Sequence, residues 1–87
     1  MSEPDLVNNP PHYNQAGIEC IDAMEAMAHG APVSVHAAYC WQNSFKYLWR
    51  WPYKAKPLED LKKARWYLDR LIETLEAQKK EQDAQEL

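Results

Sequence analysis

The residues best suited to chemistry fall in two short runs. Asn43, Lys46, Tyr47 and Arg50 recur at spacings of three, four and seven. On a helix those spacings form one stripe, which His36 and Tyr39 extend toward the N-terminus. Arg supplies a planar fork for phosphate oxygens and Lys a mobile point charge. With an amide and a phenol alongside, the row is suited to gripping a phosphate and a base edge. The structural alternative is the polar side of a half-buried helix. The second run is Asp60, Lys63 and Tyr67, one turn apart. Asp60 has the chemistry to hold a metal ion or a ribose hydroxyl, and Lys63 to hold a phosphate. Dipole complementation and local ion pairing would explain the same residues.

Two other groups carry weaker signals. Glu19, Asp22 and Glu25 are three residues apart, and Glu73 and Glu76 offer a further pair. Carboxylates one turn apart suit Mg²⁺ in oxygen-rich coordination, but glutamates at this spacing also line ordinary solvated faces. His36 and Cys40 form an i,i+4 pair, with Cys20 elsewhere. A tetrahedral zinc site needs a second pair, so no metal site is assigned. There is no G-x-x-x-x-G-K-[ST] loop, RNP motif or zinc finger, so any phosphate chemistry is not P-loop chemistry.

The net charge of −3 conceals a segregation. Met1 to Phe45 holds five acids and no Lys or Arg; Lys46 to Arg70 holds eight basic residues against three acids. That basic block also contains Tyr47, Trp49, Trp51, Tyr53, Trp66 and Tyr67. Cations interleaved with aromatic rings suit a phosphate attached to a flat base. Overall acidity makes double-stranded nucleic acid a poor partner. No apolar run reaches the roughly 18 residues of a membrane span, and no signal-like start is present. The expectation is a soluble cytoplasmic protein with no membrane partner, its two cysteines reduced.

With 87 residues the chain allows one domain with a marginal core. Pro4, Pro10 and Pro11 make residues 1–15 an irregular arm. Residues 16–76 read as the helical domain, and residues 77–87 as a polar helix end or tail. A short amphipathic helix is expected from Ile18 to Ala28, stopped by Gly30 and Pro32. A second runs from Ser34, its N-cap, to about Trp51 and is apolar almost all round. A third starts at Leu58 and carries the near-heptad stripe Leu61, Ala64, Leu68, Leu71 and Leu75. No strand is evident. The fold class is therefore all-α: a compact three-helix unit with an irregular N-terminal arm and a long C-terminal helix. One such unit cannot cover both apolar helices, so a homo-oligomer is expected, with the second or third helix in the interface.

Four motifs resemble a small phage-encoded family known as SaV-like or phage nucleotide kinase-like proteins. They are Pro11-His12-Tyr13-Asn14, Gly17-Ile18-Glu19-Cys20-Ile21-Asp22, Asn43-x-x-Lys46-Tyr47-Leu48-x-Arg50, and Leu58 to Leu68. The likeness spans about His12 to Ile72. It implies a P-loop-lacking (deoxy)nucleoside monophosphate kinase acting in the cytoplasm of an infected bacterium. His12, Tyr13, Asn43, Lys46, Tyr47, Arg50, Lys63, Trp66 and Tyr67 are then the ligand-binding positions. Tyr47, Trp66 or Tyr13 would stack on a base. Glu19 and Asp60 are the candidate catalytic carboxylates, with Mg²⁺ as cofactor if the protein is an enzyme. Relatives commonly carry Phe-x-x-Gly-Asn where this chain has Tyr39-Cys40-Trp41-Gln42-Asn43, which puts bulk beside the site. Two other functions use the same surface. A non-catalytic oligomeric sponge would sequester a nucleotide immune signal, and a host-protein-binding module would dock through the aromatics.

Overall fold

The computed structural model describes residues 14–85, and His12 and Tyr13 lie outside them. The fold is all-α. Two short strands, β1 (Asn14–Gln15) and β2 (Ile18–Glu19), precede three helices, α1 (Cys20–Ala28), α2 (Val35–Arg50) and α3 (Pro57–Gln85). A 3-10 turn at Trp51–Tyr53 links α2 to α3.

The strands correct the expectation of an irregular segment through residue 15 and of a helix starting at Ile18. Asn14 pairs with Glu19 and Gln15 with Ile18, antiparallel. Ala16 and Gly17 both have positive φ, 54° and 79°, as a two-residue hairpin turn requires. Ala at the first turn position hides the usual Asn-Gly signature. Glu19 is left extended at the α1 N-cap, with φ −72° and ψ 139°. The expected acidic row on α1 therefore begins only at Asp22.

α2 matches its expected start. The Ser34 hydroxyl accepts a hydrogen bond from the Ala37 N–H at 3.1 Å. Pro52 ends the helix because it cannot donate to the i−4 carbonyl. Pro57 then opens α3, where a missing N–H costs nothing and φ is already helical. α3 continues past the apolar stripe through a polar, exposed end to Gln85.

α2 and α3 form the central hairpin, and their seam is built from small residues. Ala37, Cys40 and Ser44 recur along one line of α2 and are buried, as is Ala64 on α3. The Ser44 hydroxyl donates to the Ala64 carbonyl at 2.9 Å, a bond that needs closely spaced helix axes. Small seam residues permit that approach and push the large side chains to the two flanks. Among the described residues no Leu, Ile, Phe or Trp is fully buried. Replacing Ser34 with Ala should lower the unfolding free energy by about 1 kcal/mol, read from urea denaturation, because the first turn of α2 loses its cap.

Candidate functional site

One end of the hairpin gathers most of the candidate residues. Arg50 is the last residue of α2 and Asp60 lies in the first turn of α3. Across the proline-bounded turn they meet: Arg50 Nε lies 3.2 Å from Asp60 Oδ2, and Nη2 lies 3.3 Å from Oδ1. The side chains are 15% and 6% exposed. Each charge is also favoured by its own helix, a cation at a C-terminus and an anion at an N-terminus.

Tyr47 stands one turn before Arg50 and organises the cations around it. Arg50 Cζ lies 4.6 Å from the ring centre, Lys46 Nζ 5.1 Å and Lys63 Nζ 5.6 Å. The negative face of the ring offsets part of the repulsion among three cations, by about 0.5–1 kcal/mol per contact. Tyr67 of α3 stacks on Tyr47, with centres 6.0 Å apart and planes at 14°. Its edge-on contacts with Tyr39 (5.9 Å) and Trp66 (5.0 Å) extend the cluster along the surface. A hydrogen bond with Tyr39 pushes the Tyr67 hydroxyl above its ordinary value, with desolvation adding to it. Trp66 is 58% exposed.

Beside this cluster is an open depression of about 480 Å³, between the interhelical turn and the start of α3. Arg50, Lys54, Lys56 and Lys63 line it, against Glu59 and Asp60. Glu59 sits between Lys63 (3.4 Å) and the exposed Lys56 (3.8 Å), in solvent-accessible pairs worth about tenths of a kcal/mol. A multiply charged anion can displace such pairs. A second, shallow and apolar depression shares Glu59 and Lys63 and is bounded by Leu58, Lys62 and Trp66. A hollow lined by cations beside a flat ring is suited to a phosphate attached to a flat base.

The other candidates fall around this centre. The Asn43 amide donates back to the Tyr39 carbonyl at 2.9 Å, so its nitrogen serves its own helix. One turn before Lys46, the Gln42 side-chain nitrogen is buried without a hydrogen-bond partner. Glu19 occupies the N-cap position of α1 beside Cys20, without a side-chain capping hydrogen bond. Burial pushes the Cys20 thiol above its ordinary value of 9.0, Lys46 and Arg50 pull it down, and Glu19 raises it. These charges set the start of α1 against the basic end of α2. His36 Nε2 and Cys40 Sγ are 3.8 Å apart. Among the described residues no three His, Cys, Asp or Glu side chains are grouped to hold a metal ion. Both Asp60 oxygens face Arg50. As arranged, Asp60 positions the guanidinium and does not fit a resident Mg²⁺.

A family model for proteins of unknown function, DUF3310, matches residues 7–69. The chain belongs to the DUF3310 family. The matched span contains every candidate residue from His12 to Tyr67 and leaves the second half of α3, with Leu71, Ile72, Leu75 and the polar end, outside. DUF3310 membership assigns kinship without an activity. No curated protein and no solved structure matches the chain.

The sequence grouped Lys46 with Arg50 and Asp60 with Lys63, but as separate rows. Lys54 and Lys56, which belong to neither row, lie between Pro52 and Pro57, and the structure turns them into the hollow. Those two prolines were the available signal for a tight return.

Arg50→Ala leaves an almost enclosed carboxylate without its guanidinium and should destabilise the fold by about 2–4 kcal/mol. Arg50→Ala/Asp60→Ala should lose less than the sum of the single substitutions in the same urea titration. The Cys20 thiol gives a pH signature. Its proton is held more tightly in the folded chain, so its stabilising contribution is complete below pH 9.0 and is lost as pH rises through the higher native value. Cys20→Ala should flatten the fall of the urea midpoint above that pH.

Proposed function

We propose that the chain binds nucleotide phosphates in the hollow at the α2–α3 turn. The supporting observation is the convergence of Lys46, Arg50 and Lys63 on the Tyr47 ring. Arg50, held by Asp60, offers a fixed guanidinium. Lys54, Lys56 and Lys63 add mobile charge at the rim, and Lys46 extends the positive field along α2. Tyr47 is already engaged by Tyr67 and the cations, so the exposed Trp66 is the better platform for a base. The resemblance to phage nucleotide kinase-like proteins supports a phage origin and suggests (deoxy)nucleoside monophosphates among the ligands. It also suggests phosphoryl transfer, which is mainly positioning and charge neutralisation.

The engagement of both Asp60 oxygens favours a second reading on the question of turnover. A site rich in cations, with its nearest enclosed carboxylate committed to Arg50, suits sequestration of a nucleotide without chemistry. Kinase and sponge share the binding step and differ in what leaves the site. Binding is read by calorimetry with nucleoside mono-, di- and triphosphates and cyclic dinucleotides, with and without Mg²⁺. Lys54→Ala and Lys63→Ala should each weaken the tightest of these ligands by about one decade or more, since a charged hydrogen bond is worth about 1.5–3 kcal/mol. Trp66→Ala should weaken it comparably through lost stacking. Unchanged affinity in Lys54→Ala/Lys63→Ala would overturn the binding reading. New nucleotide product from ATP plus a nucleoside monophosphate would decide for the kinase; recovery of intact ligand after denaturation, with no product, would decide for the sponge.

A further inference from the structure

The flank of the hairpin opposite the cations is apolar, and among the described residues nothing covers it. Trp41, Phe45 and Leu48 of α2 and Leu68, Leu71 and Leu75 of α3 line two adjoining shallow grooves that share Trp41 and Leu71. Leu48, Leu68 and Leu75 are each about half exposed, as is Ile72 at the edge. On α2, Trp41, Phe45 and Leu48 lie about half a helical turn round from Lys46 and Arg50, so this face is separate from the hollow.

Charge along its rim says what covers it. Lys62, Arg65, Asp69, Ile72 and Glu76 follow one another at alternate spacings of three and four, forming a single stripe beside the leucines. Beside the leucines the stripe is positive at Lys62 and Arg65 and negative at Asp69 and Glu76; past the last leucine it continues to Lys79 and Asp83. Among the described residues the four charged side chains beside the leucines make no ion pair within the chain, whereas neighbouring Lys63 and Arg70 do. Turned end for end, such a stripe complements itself: the basic half of one copy faces the acidic half of another. A two-fold axis needs this self-complementarity from an interface.

We propose that this apolar face seats a second copy of the chain, docked antiparallel, so that two α2–α3 hairpins close into a four-helix bundle. The leucines form the dry centre, and Lys62 and Arg65 meet Asp69 and Glu76 of the other copy at the edges. The two cation hollows stay on the outside of the bundle, one per chain. The inference is independent of what the hollow binds.

Sedimentation equilibrium of the full chain tests it. At about 100 μM, a concentration at which a micromolar interface is filled, the mass should be twice 10.2 kDa. Leu68→Glu/Leu75→Glu should raise the dissociation constant by about 100-fold or more while far-ultraviolet circular dichroism stays helical. Arg65→Glu and Glu76→Lys alone should each weaken the dimer about 3–10-fold, and the two together should restore it. This charge exchange touches no core residue and decides the matter if the glutamate variant fails to fold. A monomer at that concentration, an assembly unaffected by the glutamates, or a charge exchange that does not restore association would each overturn the proposal.

Discussion

The Arg50–Asp60 ion pair is the contact on which the rest of the arrangement depends. It joins the last residue of α2 to the first turn of α3 through paired contacts of 3.2 and 3.3 Å. Both charges are reinforced by the helix ends that carry them. An enclosed ion pair contributes little net stability when compared with an apolar replacement, but it penalises every register that separates the partners. Held in this register, Lys46 and Lys63 reach the same tyrosine ring from different helices, and the turn between Pro52 and Pro57 brings Lys54 and Lys56 to the same hollow. The cations are thus gathered by an interaction that leaves the hollow itself open to solvent.

The second constraint is the small-residue seam. Ala37, Cys40, Ser44 and Ala64 let α2 and α3 approach closely, and the Ser44–Ala64 hydrogen bond marks that approach. Large side chains are displaced to either flank. Aromatic rings and cations take one flank, and leucines with Trp41 and Phe45 take the other. One seam therefore generates a polar surface suited to a small anion and an apolar surface suited to another helix pair. A short chain has too little volume to cover the second surface by itself.

Much of the fold was legible locally. Ser34 as N-cap and the leucine spacing of α3 each act within a few residues, and each is found where the sequence implied it. The hairpin at Asn14–Glu19 was not legible because Ala16 takes the left-handed conformation that Asn or Gly usually supplies. The candidate cations were legible as types and as helical rows, since both properties are one-dimensional. Their convergence was not, because Arg50 and Asp60 meet through a turn whose geometry no periodicity encodes. For the same reason Asp60 read as a ligand for a metal ion or a ribose hydroxyl, or as a local ion-pair partner, and Tyr47 as a ring for stacking on a base, whereas the fold engages Asp60 with Arg50 and Tyr47 with Tyr67.

The central claim is that the hollow binds the phosphate part of a nucleotide, and inorganic triphosphate isolates that part from any base. A nuclear magnetic resonance titration with inorganic triphosphate follows the Arg50 Nε–H, the Lys54, Lys56 and Lys63 side chains and the Tyr47 ring alongside the methyl groups of Leu68 and Leu75. The account predicts saturable shifts at the cations and the ring, with the leucine methyls unmoved. An absence of saturable shifts, or shifts centred away from the α2–α3 turn, would contradict it.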